Sequence, residues 1–336
     1  MDSAGNFLLL TLVSMLFNTF LVFYLEYLEF ATKLAQQCGQ IILEASKTRY
    51  TTGNKVYEKF GQQTDLVTET DIKVEELIKS KLKEKFPDHM FIGEETKAAG
   101  NHYEFTDKPT WIIDPVDGTT NFVQGFPFVA VSIGLYINKE PTVGVVFNPF
   151  LNELFTARKG HGAFLNHKTR LPLTHPYTPP VLPSNLSQCL VGYSCSGVDR
   201  SDLTMSKKIT SVHNLLRLPG EVSWSSKKAG SVHGIRNIGC ATMNICYVAK
   251  GCLDIHLSSG CWEWDVAAAL VILIESGGIM VNGHGFDEGP VDIFGRIYLS
   301  VRGGSPCDGD EDSKQSQLRL IKEILDVTEK IDCPRF

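Results

Sequence analysis

The sequence predicts a mixed α/β fold (α+β) in two halves, and three observations support this. Residues 27–47 repeat apolar side chains at helical spacing. Residues 129–157 contain three short β runs separated by turns, which is typical of an antiparallel meander. After a proline-rich segment, residues 234–250 follow the order strand, tight turn, helix. Helices therefore accompany sheets in both halves.

Composition favours a globular, metal-binding protein. The chain has 336 residues, is 43% hydrophobic and 21% charged, and carries a net charge of −6. That is enough for a large core or two packed lobes. No basic stripe is visible, which argues against nucleic acid as a partner. Nine cysteines occur without a C-x-x-C pair, so we expect reduced thiols and no disulfide framework.

The first 25 residues precede the predicted fold. Residues 7–25 are strongly apolar, and about 20 such residues can span a bilayer. No Lys or Arg precedes them and Asp2 does, which weakens both a signal peptide and an oriented anchor. An extra buried helix and translated non-coding sequence are the alternatives. We expect a cytoplasmic protein, with membrane anchoring through residues 7–25 as the alternative.

The first half, residues 26–180, begins with the amphipathic helix at 27–47. The polar stretch 48–64 predicts a mobile loop. A second helix begins near Asp71 and ends at Pro87. The helix dipole alone would also favour an acid such as Asp71 in the first turn. A short strand then ends in two adjacent acids, Glu94 and Glu95, which predicts a second metal-binding strand end.

The central stretch is Trp111–Phe122, WIIDPVDGTTNF. Three apolar residues end a buried strand, and Asp114 and Asp117 lie where it stops. Two carboxylates on a rigid strand end can share magnesium, which prefers oxygen ligands. The following Gly-Thr-Thr can offer backbone N–H groups to a phosphate, especially if a helix starts there. Taken alone, Asp-Pro and Asp-Gly are also ordinary turn dipeptides.

The second half, residues 181–336, follows prolines concentrated in residues 171–188, which predict a linker. Residues 189–193 and 253–257 predict strands, and residues 219–231 an exposed loop. A helix at 266–274 is apolar on all sides and therefore buried. Asp265 precedes it, either as a site residue or as a simple N-cap. A final amphipathic helix is predicted at 316–331.

The string at 111–122 resembles the signature of the inositol monophosphatase family. Three further blocks in the same order extend the resemblance over residues 26–302: Asp65–Asp71, Gly93-Glu94-Glu95 and Trp264-Asp265. The resemblance implies a layered α-β-α-β-α sandwich, as in inositol monophosphatases and fructose bisphosphatases. It also implies magnesium as cofactor, inhibition by lithium, a small-molecule phosphate monoester as substrate and a homodimer.

The resemblance also assigns roles by position. The implied metal ligands are Glu94, Asp114, Val116 (through its carbonyl), Asp117 and Asp265. The implied catalytic residues are Thr119, Asp71 and Glu95, the first two orienting an attacking water in an in-line displacement. The implied substrate contacts are Glu94, Gly118, Thr119, Thr120, Gly239, Cys240, Ala241, Ser258 and Asp265.

One departure concerns substrate choice. Ser258 stands where animal family members place a glutamate that hydrogen-bonds inositol hydroxyls, and Cys-Trp-Glu-Trp before Asp265 looks more like fungal members. We expect a magnesium-dependent phosphatase of myo-inositol 1-phosphate. The alternatives are a phosphatase for another small polyol, sugar or quinate-pathway phosphate, and a non-catalytic regulatory homologue. Polar pairing in the site decides between substrates.

Overall fold

The computed structural model describes residues 3–48, 56–59, 62–173, 180–195, 199–283, 289–307 and 309–335; the side chains of residues 3–23, 48, 56 and 58–67 lie outside this description. The helices are α1 Ser3–Thr48, α2 Glu69–Lys85, α3 Glu94–Ala98, α4 Thr119–Gln124, α5 Asp202–Leu216, α6 Ala241–Lys250, α7 Glu263–Glu275 and α8 Ser313–Val327. The strands of the first half are β1 Val56–Lys59, β2 Gln62–Thr68, β3 Met90–Gly93, β4 Thr110–Asp117, β5 Ala130–Ile137, β6 Glu140–Asn148, β7 Glu153–Arg158, β8 Ala163–Leu165 and β9 Thr169–Arg170. The strands of the second half are β10 Leu190–Tyr193, β11 Gly234–Arg236, β12 Ile255–Ser259, β13 Ile279–Asn282 and β14 Ile297–Val301.

Two sheets and three helical layers alternate, which confirms the predicted α-β-α-β-α sandwich. The first sheet has the order β3-β4-β5-β6-β7-β8-β9, and the second has the order β11-β10-β12-β14-β13. Helices α1 and α2 cover one face of the first sheet, and α7 covers its other face. Helices α6 and α7 lie between the two sheets, while α8 and α5 close the second sheet. Each layer thus buries the apolar face of its neighbour.

The meander predicted at 129–157 is confirmed, since β5, β6 and β7 pair antiparallel in order. Strand β4 is buried along its whole length because helices cover both faces of its sheet. Strand β3 pairs parallel with β4. The ends of both strands therefore lie at the same edge of the sheet, which puts Glu94 on the same side as Asp114 and Asp117.

Helix α7 belongs to the second half by sequence but packs closely on the first sheet. Gly134 and Gly144 make this approach possible, because a Cβ on Gly144 would collide with the carbonyl oxygen of Ala268. Small alanines dominate this part of α7, and they are fully buried. A core therefore crosses the boundary at residue 180, and the division of the chain there stays a prediction.

The prediction of a mobile loop at residues 48–64 was wrong in part. Residues 56–59 and 62–68 form an antiparallel pair, β1 with β2, and β-branched and aromatic residues in the stretch favour pairing despite its polar composition. The adjacent acids Glu94 and Glu95 open the short helix α3 instead of ending a strand. Asp265 lies in the first turn of α7, and the N-cap is Trp262. The loop at 219–231 is mostly exposed, as expected.

The N-terminal apolar segment falls within α1, but the side chains of residues 7–23 lie outside the described part of the chain. Where side chains are described, no helix combines the length and apolar character needed to cross a membrane. All nine cysteines are free thiols.

Candidate active site

A cavity of about 450 Å³ opens between the two halves, where β4 ends and where α3, α4, α6 and α7 begin. Its wall consists of acidic side chains, tight turns that contain glycine, and the side chain of Trp262. The lining residues are Glu94, Asp114, Val116, Asp117, Gly118, Thr119, Thr120, Asn121, Phe126, Ser194, Arg200, Asn237, Ile238, Gly239, Cys240, Ala241, Asn244, Ser259, Gly260, Cys261, Trp262 and Asp265.

A strand irregularity places two acids on one side of β4. Asp114 and Asp117 are three residues apart, an odd spacing that puts side chains on opposite faces of a regular strand. Opposite them, however, β5 advances only two residues, from Ser132 to Ala130. The extra residue in β4 acts as a bulge that re-aims the chain. Both carboxylates consequently face the cavity.

Three carboxylates meet at this point. Asp114, Asp117 and Asp265 each offer an oxygen, and these atoms lie within 4.8 Å of one another. Asp114 and Asp117 are buried, with exposed fractions of 1% and 7%. Glu94 joins them on the cavity wall from the first turn of α3. The three aspartates come from two separate regions of the chain, so the fold has gathered like charges that repel one another.

The electrostatics of this cluster call for a cation. Burial raises the pKa of Asp117, and burial together with the charges of Asp117 and Glu94 raises the pKa of Asp265 well above its usual range. Both shifts record the cost of holding several carboxylates in a desolvated place. A divalent cation bound between them would remove that cost. The donors are all oxygens, which fits a hard cation such as Mg²⁺ and not a zinc site built on His and Cys.

Backbone donors fix Asp117 between the two halves. Its carboxylate accepts hydrogen bonds from the backbone N–H of Thr242 at 2.6 Å and of Ala241 at 3.3 Å, at the start of α6. The thiol of Cys240 donates to the same carboxylate at 3.1 Å. Asp265 accepts from the backbone N–H of Trp262 at 2.6 Å. Each carboxylate is thus oriented by a helix start, where N–H groups lack partners within the helix.

A second feature is the pair Thr119 and Asp71. The hydroxyl of Thr119 lies 3.0 Å from Asp71 Oδ1 and 3.1 Å from the carbonyl oxygen of Val116. Asp71 is fully buried, and its other oxygen accepts from the backbone N–H and the hydroxyl of Thr68 in a capping box of α2. Helix α2 therefore holds a carboxylate behind Thr119, and Thr119 itself faces the cavity.

Tight turns complete the cavity floor. Gly118 has a φ of 89° and caps α4, and a Cβ there would lie 2.7 Å from the carbonyl oxygen of Phe128. Asn121 donates to the carbonyl oxygens of Phe128 and Ile238. This amide ties the loop after β4 to the loop that carries Gly239. The signature stretch and the second half are consequently held in one arrangement.

Most residues predicted for the site line the cavity. They are Glu94, Asp114, Val116, Asp117, Gly118, Thr119, Thr120, Gly239, Cys240, Ala241 and Asp265. Asp71 lies one hydrogen bond behind the wall. Glu95 is not among the described residues of the wall, and its backbone N–H donates to Glu75. A catalytic role for Glu95 stays a prediction.

The structure does not place Ser258 at the wall. Its side chain is buried, with the hydroxyl 3.5 Å from the carbonyl oxygen of Tyr298, while the neighbouring Ser259 lines the cavity. Adjacent residues of a strand point to opposite faces, and sequence position alone did not reveal which one of the pair faces inward. Sequence reasoning also missed Arg200, for which no local pattern gave a signal, and the wall position of Trp262.

Comparisons with known proteins show the family of the chain. The model of the inositol monophosphatase family matches residues 24–323. The chain is 39% identical over 322 residues to protein qutG of Emericella nidulans, covering 92% of this chain and 95% of that one. It is 36% identical over 331 residues to quinic acid degradation cluster protein x of Neurospora crassa, covering 92% and 96%.

Animal and bacterial proteins match as well. Inositol monophosphatase 1 of Bos taurus is 40% identical over 277 residues, covering 82% of this chain and 89% of the relative. The solved structure of inositol monophosphatase from Anabaena superposes with a TM-score of 0.66 at 25% identity, covering 90% of this chain and 96% of that one.

Proposed function

Because the chain belongs to the inositol monophosphatase family, we propose that it is a magnesium-dependent phosphomonoesterase that hydrolyses myo-inositol 1-phosphate to inositol and phosphate. The observation that carries the proposal is the meeting of Asp114, Asp117 and Asp265 within 4.8 Å in a cavity large enough for a small phosphate ester. Cavities of about 300–1,000 Å³ are typical of small-molecule sites.

The residues fit the metal and the phosphate. Asp114, Asp117, Asp265 and Glu94 would hold magnesium, together with the carbonyl oxygen of Val116. When bound, magnesium lowers the pKa of a water and neutralises charge on the phosphoryl and leaving oxygens. The turn at Gly118 and the start of α4 offer backbone N–H groups to the phosphate oxygens.

Thr119 and Asp71 would handle the attacking water. The Thr119 hydroxyl donates a hydrogen bond to Asp71 Oδ1, which leaves its oxygen lone pairs to accept a hydrogen bond from a water in the cavity. A water held this way keeps a lone pair aimed at the phosphorus. Asp71 is oriented in turn by Thr68, so the whole chain of hydrogen bonds is fixed before substrate enters. No covalent phosphoenzyme is required.

The test is phosphate release from myo-inositol 1-phosphate by the purified full chain, with and without magnesium, and then with lithium added. We expect release that requires magnesium and falls with lithium. The alanine variant of Asp114 serves as the catalytic blank. Absence of magnesium-dependent release from every small phosphate monoester offered would refute the proposal and favour a non-catalytic regulator.

A second candidate is a phosphatase for a ring polyol that also bears a carboxylate. Arg200 lies on the cavity wall and is exposed. An arginine fork suits a carboxylate. The name of the relative from Neurospora crassa refers to degradation of quinic acid, which is such a polyol. Substitution of Arg200 by alanine should raise KM for carboxylate-bearing phosphates only.

A further inference from the structure

The segment that follows α8 returns to the wall of the cavity. The family model ends at residue 323 and α8 ends at Val327, so this segment lies beyond the residues that the family model matches. Its Arg335 donates two hydrogen bonds to Glu263, at 3.0 Å and 2.8 Å, and one to the carbonyl oxygen of Phe294 at 2.9 Å. The guanidinium also lies 5.2 Å from the centre of the Phe294 ring. Arg335 is therefore held on several sides.

Glu263 is the buried partner in this pair. Its side chain is fully buried while that of Arg335 is 35% exposed. Removing one member of a buried pair leaves an uncompensated charge, which costs more than the pair contributes when intact. Glu263 is also the first residue of α7, directly after Trp262. A displacement of Glu263 would therefore move the turn that starts the helix.

That turn orients a predicted metal ligand. The backbone N–H of Trp262 donates to Asp265 Oδ2 at 2.6 Å. The Trp262 ring lines the cavity and stacks on Trp264, with ring centres 5.4 Å apart. Arg335 lies 5.1 Å from the centre of the Trp262 ring. The contacts of Arg335 thus lead in two steps to the cavity wall and to Asp265.

A second arginine braces the same wall from inside. Arg296 is buried and its guanidinium lies 3.6 Å from the centre of the Trp262 ring. It donates to the carbonyl oxygen of Gly260 at 2.7 Å, and the Gly260 N–H donates back to the Arg296 carbonyl at 2.8 Å. Stacked guanidinium groups favour a fixed indole orientation.

We propose that Arg335 is a positioning residue of the active site: it pairs with Glu263, fixes the turn at residues 260–264 and thereby orients both Trp262 on the cavity wall and Asp265 in the metal cluster. The expected effect on the kinetics rests on the proposed function, whereas the expected effect on magnesium affinity rests on the acid cluster alone. The segment after α8 is then part of the functional site.

The test compares two arginine variants of the full chain. Arg335→Ala breaks the pair with Glu263. Arg319→Ala breaks another arginine–glutamate pair, between Arg319 of α8 and Glu311, away from the cavity. Magnesium binding to the metal-free proteins is followed by calorimetry and by tryptophan fluorescence, because Trp262 and Trp264 report on the wall. Steady-state kinetics supply kcat and KM, and thermal melting supplies stability.

We expect Arg335→Ala to weaken magnesium binding about tenfold, as for other residues that support metal ligands, and to raise KM for the phosphate ester. Arg319→Ala should leave both within about twofold even if it melts earlier. Arg335→Ala combined with Glu263→Gln removes the unpaired charge, and it should recover part of the lost metal affinity.

Two results would overturn the inference. One is equal magnesium affinity and KM in Arg335→Ala and wild type. The other is an equal loss in both arginine variants, which would reduce Arg335 to general stability. If the wild type releases no phosphate while Arg335→Ala still weakens magnesium binding, the proposed function fails and the positioning role stands.

Discussion

Replacement of Asp71 by asparagine tests the water-positioning pair with almost no change of shape. The carboxylate accepts from Thr119 through Oδ1, and from the N–H and hydroxyl of Thr68 through Oδ2. An asparagine has only one accepting oxygen. Thr68 offers two donors, its backbone N–H and its hydroxyl. The amide oxygen is therefore expected to face Thr68 and the NH2 group to face Thr119.

The consequence falls on the Thr119 hydroxyl. Its oxygen would accept from the new NH2 group, and its proton would turn to the carbonyl oxygen of Val116, 3.1 Å away. A lone pair that serves the water is then occupied. Loss of a positioned proton acceptor costs about 10²–10⁴-fold in kcat, or about 3–5 kcal/mol of barrier. KM should change little, because Asp71 does not line the cavity in the described structure.

The assay is steady-state phosphate release at saturating magnesium, with urea unfolding to measure stability. The matched control is Asp312→Asn, which changes a capping carboxylate of α8 far from the cavity. Both variants should lose about 1 kcal/mol of stability or less from the weakened cap, and only Asp71→Asn should lose kcat. A kcat within threefold of wild type, or equal losses in both variants, would refute this reasoning about Thr119.

Further predictions concern the metal cluster and the packing beneath it. Asp114→Asn should weaken magnesium binding by at least about tenfold, measured by calorimetry, and unchanged affinity would exclude Asp114 as a ligand. The pKa values of Asp117 and Asp265 are raised in the metal-free folded protein. At pH values just above the ordinary pKa of aspartate, the folded protein therefore binds more protons than the unfolded chain. Its unfolding free energy therefore falls as pH rises through that window, so magnesium should raise Tm more at about pH 7.5 than at about pH 5.5; an equal rise would contradict this. Gly144→Ala presses a methyl group on the backbone of α7 and should cost about 1–3 kcal/mol in urea unfolding, whereas Gly309→Ala, which meets open space, should not.

Local patterns predicted most of the fold. The period of the apolar residues indicated α1 and α2, the uniformly apolar run at 266–274 indicated α7, and the β runs separated by turns at 129–157 indicated the meander. The stretch Trp111–Phe122 predicted the central strand and the turn where it ends. The strand pair β1–β2 was missed because polar composition outweighed β propensity in the interpretation. Helix α5 was not predicted either. Its apolar residues Leu203, Ile209 and Leu216 are exposed in the structure, so they do not form the buried face that a periodic pattern would indicate.

The site was predictable where a residue type is dictated by chemistry and not where it is dictated by long-range geometry. Asp114 and Asp117 end a buried strand within one motif, so their position at the cavity could be predicted. The inward turn of Ser259 instead of Ser258 depends on the strand register with β14. The approach of Arg335 to Glu263 joins residues 72 positions apart, and no sequence period carries that information.

The central claim is that separate carboxylates hold a divalent cation in this cavity. Anomalous diffraction from crystals of the full chain soaked in Mn²⁺, a hard cation that binds the same oxygen donors as Mg²⁺, tests it most directly. The account predicts a strong peak among Asp114, Asp117 and Asp265, on the side of Glu94, that is lost in Asp114→Asn crystals. A strong Mn²⁺ peak elsewhere in the protein, with none between these acids, would contradict the claim.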